Sequence, residues 1–256
     1  MSRTPMLATC LSAVVVSTGV FATGGATAQD ASAVDPAATA AVDRMSAYLA
    51  TLTSFEVTTD ASRDIALDDG PTVKLNLRTR YLARLPDGLF AQVRTDRQFR
   101  DFYFDGRTLT LTAPRLGYYG SVSASGTVGE LITTMSDTYG VDLPLADMFL
   151  WNARKAEIQP TAAMVVGYAD VDGRETDQYV FSGPAAEWQI WIQRGDQPLP
   201  LRMVVTETTD PARPQFVADL TWDLSPPIDA GHFTFIPPTA AKPIAVAAVG
   251  SEEADQ

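Results

Sequence analysis

Val73-Lys74-Leu75-Asn76-Leu77-Arg78-Thr79-Arg80-Tyr81 sets apolar or small residues against charged or polar ones without a break. A period of two marks a strand with one face buried and one in water, the antiparallel pattern rather than the doubly covered parallel one. Phe55, Val57, Thr59 and Ala61 repeat the period upstream. Asp-Gly pairs at 69–70, 87–88, 105–106 and 172–173 punctuate the runs, and Asp-Gly accepts the positive φ of tight hairpin turns. Further strands are expected at Leu89 to Thr95, Phe99 to Phe104, Thr108 to Ala113, Ala163 to Val171, Glu175 to Phe181, Glu187 to Gln193, Leu201 to Glu207 and Gln215 to Leu224. About ten strands in one meander make a large antiparallel sheet, and open sheets of that size curl or close.

Two stretches break the period. Asp35 precedes Pro36, and Ala38, Ala41, Val42, Met45, Leu49 and Leu52 recur at helical spacing, predicting an amphipathic helix from Pro36 to about Thr51. In mid-chain, Thr127-Val128-Gly129-Glu130 fits a capping box, Val128, Leu131, Ile132, Met135 and Tyr139 keep the helical spacing, and Gly140 supplies a stop. Asp142 and Pro144 then open a second, shorter helical stretch with Leu145, Met148, Phe149 and Trp151. Apolar helices set between two groups of hairpins must lie against the sheet.

The first 28 residues carry the zones of a secretory signal: Arg3 as the only charge, an apolar stretch from Met6 to Phe21, and Ala26-Thr27-Ala28 as a cleavage site before Gln29. Polar interruptions at Thr9, Ser12, Ser17 and Thr18 leave it short of the ~20 apolar residues a membrane span needs. Thr9 before Cys10 is a poor lipidation context, so cleavage would remove the chain's one cysteine and with it disulfide, thiol and Cys-metal chemistry. The expected organisation is a signal at 1–28, a flexible start at 29–35, one β domain at 36–244 with the helical insertion at about 127–152, and a disordered acidic tail at 245–256. The expected address is the periplasm, with no transmembrane segment left after cleavage. A net charge of −12 argues against nucleic acid, whose binding rests on Lys and Arg neutralising phosphates.

Catalytic chemistry is not spelled out. His232 is the single histidine and sits in a turn, too little for a Ser-His-Asp hydrolase or a zinc site with its three or four ligands. Neither a Gly-x-Ser-x-Gly elbow nor a phosphate-cradling glycine loop occurs. Asp68-Asp69 and Arg194-Gly195-Asp196 read as turns. The expectation is a protein that is not an enzyme and uses no cofactor, metal or catalytic residue. Aromatic residues remain. Trp188 and Trp191 fall on opposite faces of one strand, and Tyr118 and Tyr119 follow Gly117. These either fill a core or line a cavity, to which Met135 and Met148 would add an adaptable wall.

Phe102-Tyr103-Phe104-Asp105-Gly106-Arg107-Thr108-Leu109-Thr110-Leu111, Tyr139 to Asp147, Trp188-Gln189-Ile190-Trp191-Ile192 with Pro198-Leu199-Pro200, and the closing Phe233-Thr234-Phe235-Ile236-Pro237-Pro238-Thr239-Ala240 resemble DUF2092, a family of predicted periplasmic proteins. The likeness runs from about Ala40 to Ile244. Thr239 replaces a usual glycine, and Glu175-Thr176-Asp177-Gln178 stands where relatives often carry a Cys or His pair. The resemblance implies the LolA-like lipoprotein carrier fold, a curved antiparallel sheet forming an incomplete, half-open barrel around an N-terminal helix and closed by short lid helices. It implies a lipid or lipoprotein acyl chain as partner, in the role of carrier or sensor. Tyr118, Tyr119, Leu131, Ile132, Met135, Met148, Phe149 and Trp151 are then the expected cavity and lid residues. The alternative is a non-enzymatic envelope protein with a filled core that acts through contacts with another protein.

Overall fold

The computed structural model of the chain describes residues 33–67, 70–146 and 160–249. Helix α1 (Pro36–Leu49) is followed by strands β1 (Ser54–Ala66), β2 (Thr72–Arg84), β3 (Gly88–Thr95), β4 (Phe99–Phe104), β5 (Thr108–Ala113) and β6 (Tyr118–Ser123). Helix α2 (Val128–Tyr139) comes next, then β7 (Ala162–Val171), β8 (Arg174–Ser182), β9 (Ala186–Gln193), β10 (Pro200–Glu207) and β11 (Gln215–Asp223). A short 3-10 turn (Ala230–Phe233) and β12 (Lys242–Pro243) complete the order. Among the described residues the sheet has twelve strands in the order β12-β6-β5-β4-β3-β2-β1-β11-β10-β9-β8-β7, open at β12 and β7, so the described part of the fold is mainly β with two α-helices. Hairpin neighbours pair along the chain, and the long-range pairing of β1 with β11 joins the two halves. β6 and β12 are the strands that periodicity missed. Tyr118–Ser123 carries Gly120 and too few apolar residues to alternate, and β12 is two residues long.

The helix ends follow their chemistry. Asp35 Oδ1 accepts from the Ala37 N–H at 2.8 Å. At α2, Thr127 Oγ1 accepts from the Glu130 N–H at 3.2 Å, and Glu130 Oε2 accepts from the Thr127 N–H at 2.7 Å, closing the box on two otherwise unpaired donors. Gly140 takes φ 61 at the C-terminal stop, the left-handed conformation that glycine adopts without penalty.

Cross-strand partners share a face, so the register sorts the sheet. One face presents Val57, Tyr81, Ala91 and Phe102 in a row and carries both helices. The other face bears ion pairs across β1–β2 and β10–β11: Arg80–Glu56, Arg78–Asp60, Lys74–Asp64 and Arg202–Asp219. On β2–β6 this second face is covered by the C-terminal segment. Phe233 is buried against Leu82 and Phe90, and the Phe235 ring lies 5.3 Å from Tyr103 and 5.2 Å from Tyr119.

Both ends of the β domain depart from expectation. Residues 33–35, expected as a loose start, bond to β7: Ala163 N–H donates to Ala33 O at 2.7 Å and Asp35 N–H to Ala163 O at 2.9 Å. Of the expected tail, residues 245–249 continue past β12 to the helix-bearing face, where Val249 N–H donates to Thr138 O at 2.9 Å. Small apolar side chains such as Val246 seat there because Gly120 leaves room. A Cβ on Gly120 would run into Val246 Cγ2.

Candidate functional site

The two long strands outrun the helices. Thirteen residues in β1 and in β2 extend about 43 Å, whereas the twelve residues of α2 span about 18 Å. Where α2 lies, the sheet is filled: Val128, Leu131, Ile132 and Met135 join Tyr81, Leu89, Phe102 and Phe104 in one buried cluster. α1 closes the far end, placing Ala38, Ala41, Val42 and Met45 against Tyr179, Phe181, Ile190 and Ile192. Between the two covered regions the same face stays partly open.

That opening is a cavity of about 670 Å³. Its floor is Leu75 and Leu77 of β2, Met203 and Val205 of β10 and Phe216 of β11, all only half-buried although apolar. Met45 of α1 and Leu143, Pro144 and Leu145, just after α2, form the walls. The buried Tyr81 hydroxyl fixes this wall by donating to Pro144 O at 2.6 Å, and burial pushes the Tyr81 phenol well above its ordinary range. Leu145 holds φ 61, a conformation that costs an L-residue about 1–2 kcal/mol, and strain of this kind collects at functional sites.

The rim is polar. Asp64 accepts from Lys74 Nζ at 2.6 Å and from the Gln215 N–H at 3.3 Å, and the lysine contact holds its carboxyl below the usual range. Asp142 accepts from Ser136 Oγ at 2.8 Å, and Glu207 accepts from Thr209 Oγ1 at 3.0 Å. Arg63 and Asn76 complete the rim. Among the described residues no group of three or more His, Cys, Asp or Glu side chains could hold a metal ion. His232 caps the 3-10 turn beside Asp229, at 3.2 Å.

The expected site residues divide. Leu131, Ile132 and Met135 come together, but as buried core beneath α2 and not in the cavity lining. Tyr118 lies on β6 beside Lys242 of β12, 40% exposed. Tyr119 points to the opposite face, against Phe235. A strand turns successive side chains to opposite faces, so the adjacent tyrosines could never both face one cavity. Leu143 to Ala146 form a turn, and Met148, Phe149 and Trp151 lie outside the described residues. The floor residues carry a strand signal in the sequence and no site signal of their own. The available signal was length: apolar alternation through Leu75 and Leu77 extends beyond what a short helix covers.

The comparisons bear on the whole domain. A sequence profile of DUF2092, described as "Predicted periplasmic protein", matches residues 38–247. No curated protein matches. Similar solved structures include an uncharacterized conserved protein from Thermus thermophilus (11% identity, covering 82% of this chain and 99% of that one, TM-score 0.45) and LprF from Mycobacterium bovis (13%, 82% and 99%, 0.44). A LolA superfamily protein from Nitrosomonas europaea is also similar (12%, 77% and 97%, 0.35). Among the described residues no helix is long and apolar enough to cross a membrane.

Proposed function

The chain belongs to the DUF2092 family of predicted periplasmic proteins, and from that premise we propose that it is an envelope carrier or sensor that shelters one apolar chain of a lipid or lipoprotein. The observation that carries this reading is the 670 Å³ cavity floored by half-buried Leu75, Leu77, Met203, Val205 and Phe216. Apolar side chains held half-exposed inside a concavity gain free energy when a ligand covers them. A volume of that size falls in the range of about 300–1,000 Å³ typical of sites for single small ligands.

Burying a methylene yields ~0.8 kcal/mol, so an acyl chain of about 16 carbons gains on the order of 10 kcal/mol before ordering and association costs. The competing reading, a filled core acting through protein contacts, suits the sheet beneath α2 but not the stretch between α1 and Leu143 to Leu145. In this proposal the signal is cleaved between Ala28 and Gln29, and the mature protein binds without converting its ligand.

Native mass spectrometry of protein purified from an envelope extract tests the reading. A lipid adduct is expected, together with displacement of a fluorescent fatty acid. Apo mass alone with no displacement overturns it.

A further inference from the structure

The register row that crosses the cavity floor contains one charged residue out of keeping with it. Following the register across the sheet, Leu75 pairs with Arg63, Arg63 with Phe216, Phe216 with Val205, and Val205 with Trp188. Every member of that row except Arg63 is apolar, and cross-strand partners point to the same face. Arg63 therefore sets a guanidinium on the helix-bearing face, at the rim of the cavity, between a leucine and a phenylalanine. Cations on the opposite face are spent: Lys74, Arg78, Arg80 and Arg202 each hold a carboxylate. Arg63 has no hydrogen-bond or ion-pair partner among the described residues.

The rim carboxylates do not supply one. Asp64 belongs to Lys74 and the Gln215 N–H, Asp142 to Ser136, and Glu207 to Thr209. Guanidinium presents a planar fork of donors suited to carboxylate and phosphate oxygens. Placed at the mouth of an apolar cavity, it matches the junction of an amphiphile, chain inward and head at the rim.

We infer that the cavity selects a single-chain amphiphile with an anionic head group, and that Arg63 is the residue that binds the head. This rests on the carrier reading above and narrows its ligand class. Carboxylate and phosphate heads share the required chemistry.

The test is displacement of the neutral probe N-phenyl-1-naphthylamine from the full mature chain by oleate, by lysophosphatidic acid with an oleoyl chain, and by oleyl alcohol. Either anion is expected to bind about tenfold more tightly than the alcohol, as suits a partly exposed charge-assisted contact. The order of the two anions separates a carboxylate from a phosphate head. Arg63→Gln is expected to abolish the preference, bringing both anions to the affinity of the alcohol, and Arg63→Lys to restore part of it. Equal affinity for all three amphiphiles, or a preference that survives Arg63→Gln, overturns the inference and leaves the carrier reading standing. Failure of all three to displace the probe, with no lipid adduct in native mass spectra, overturns the carrier reading itself.

Discussion

Leu77→Ala and Leu131→Ala delete the same atoms at two places on one sheet face, and the fold assigns them very different costs. Leu131 is 3% exposed in the cluster beneath α2. Losing the equivalent of three buried carbons there costs about 2.4 kcal/mol of transfer free energy. A residual hole on the order of 50 Å³ adds about 1.2 kcal/mol, for a total of about 3.6. Leu77 is half-buried and already faces open space in the cavity. Roughly half the transfer term applies, about 1.2 kcal/mol, with no new enclosed void. Urea unfolding of the two variants beside the parent chain, read as midpoint shift at constant slope, measures both. A Leu77→Ala cost equal to or above that of Leu131→Ala would mean the floor is packed core and would refute the reasoning.

Thr127→Ala removes half of the capping box and is expected to cost about 1 kcal/mol, checked by thermal or urea unfolding. The Glu130 carboxyl is held below its usual range by hydrogen bonds from the Thr127 backbone and side chain, so its contribution is intact above the unfolded value, ~4.3, and is lost as pH falls through the folded value. The stability advantage of the parent chain over Glu130→Gln should shrink as pH drops from 5 toward 3, and a constant difference would count against this. Tyr81 behaves oppositely: its raised phenol contributes stability below pH ~10 that declines at higher pH. Tyr81→Phe should flatten that alkaline decline and speed hydrogen exchange at residues 141–146, where the donation to Pro144 O is lost. Gly120→Val drives side-chain atoms into Val246 and Ile244 O, so it should free the segment after Pro243 to limited proteolysis while leaving α1 and β7–β11 protected.

Legibility in the sequence tracked locality. The Val73 to Tyr81 alternation became β2 almost end to end, and Thr127, Glu130 and Gly140 became the caps their chemistry requires. Asp172 and Gly173 turn β7 into β8 with φ 51 and 78, as an Asp-Gly pair should. Each of these depends on a few neighbouring residues. Pairing of β1 with β11 depends on residues far apart in the chain, and no local pattern announces it. The last segment read as tail because Ala, Val and acidic residues have little surface to bury. Its docking depends on the missing side chain of Gly120, one strand away.

The site was the least legible part. Helical spacing correctly made Leu131, Ile132 and Met135 an apolar face, but a face can meet a packed sheet or a void, and only the helix's position decides which. α2 settles over Tyr81, Phe102 and Phe104, so its own apolar residues are consumed as core. The uncovered apolar surface falls instead to residues on β2, β10 and β11. Arg63 lies beyond the Phe55 to Ala61 alternation, and only the register of β1 with β2 and β11 sets it between Leu75 and Phe216.

Filling the cavity tests the central claim most directly. Met203→Trp adds bulk to the floor without touching the cluster beneath α2. Binding of N-phenyl-1-naphthylamine is to be measured for the parent chain and for this variant, with urea unfolding as a check that both are folded. The account predicts saturable, one-to-one binding by the parent and at least a tenfold loss in a variant of near-parental stability. Equal binding by both folded proteins would contradict it.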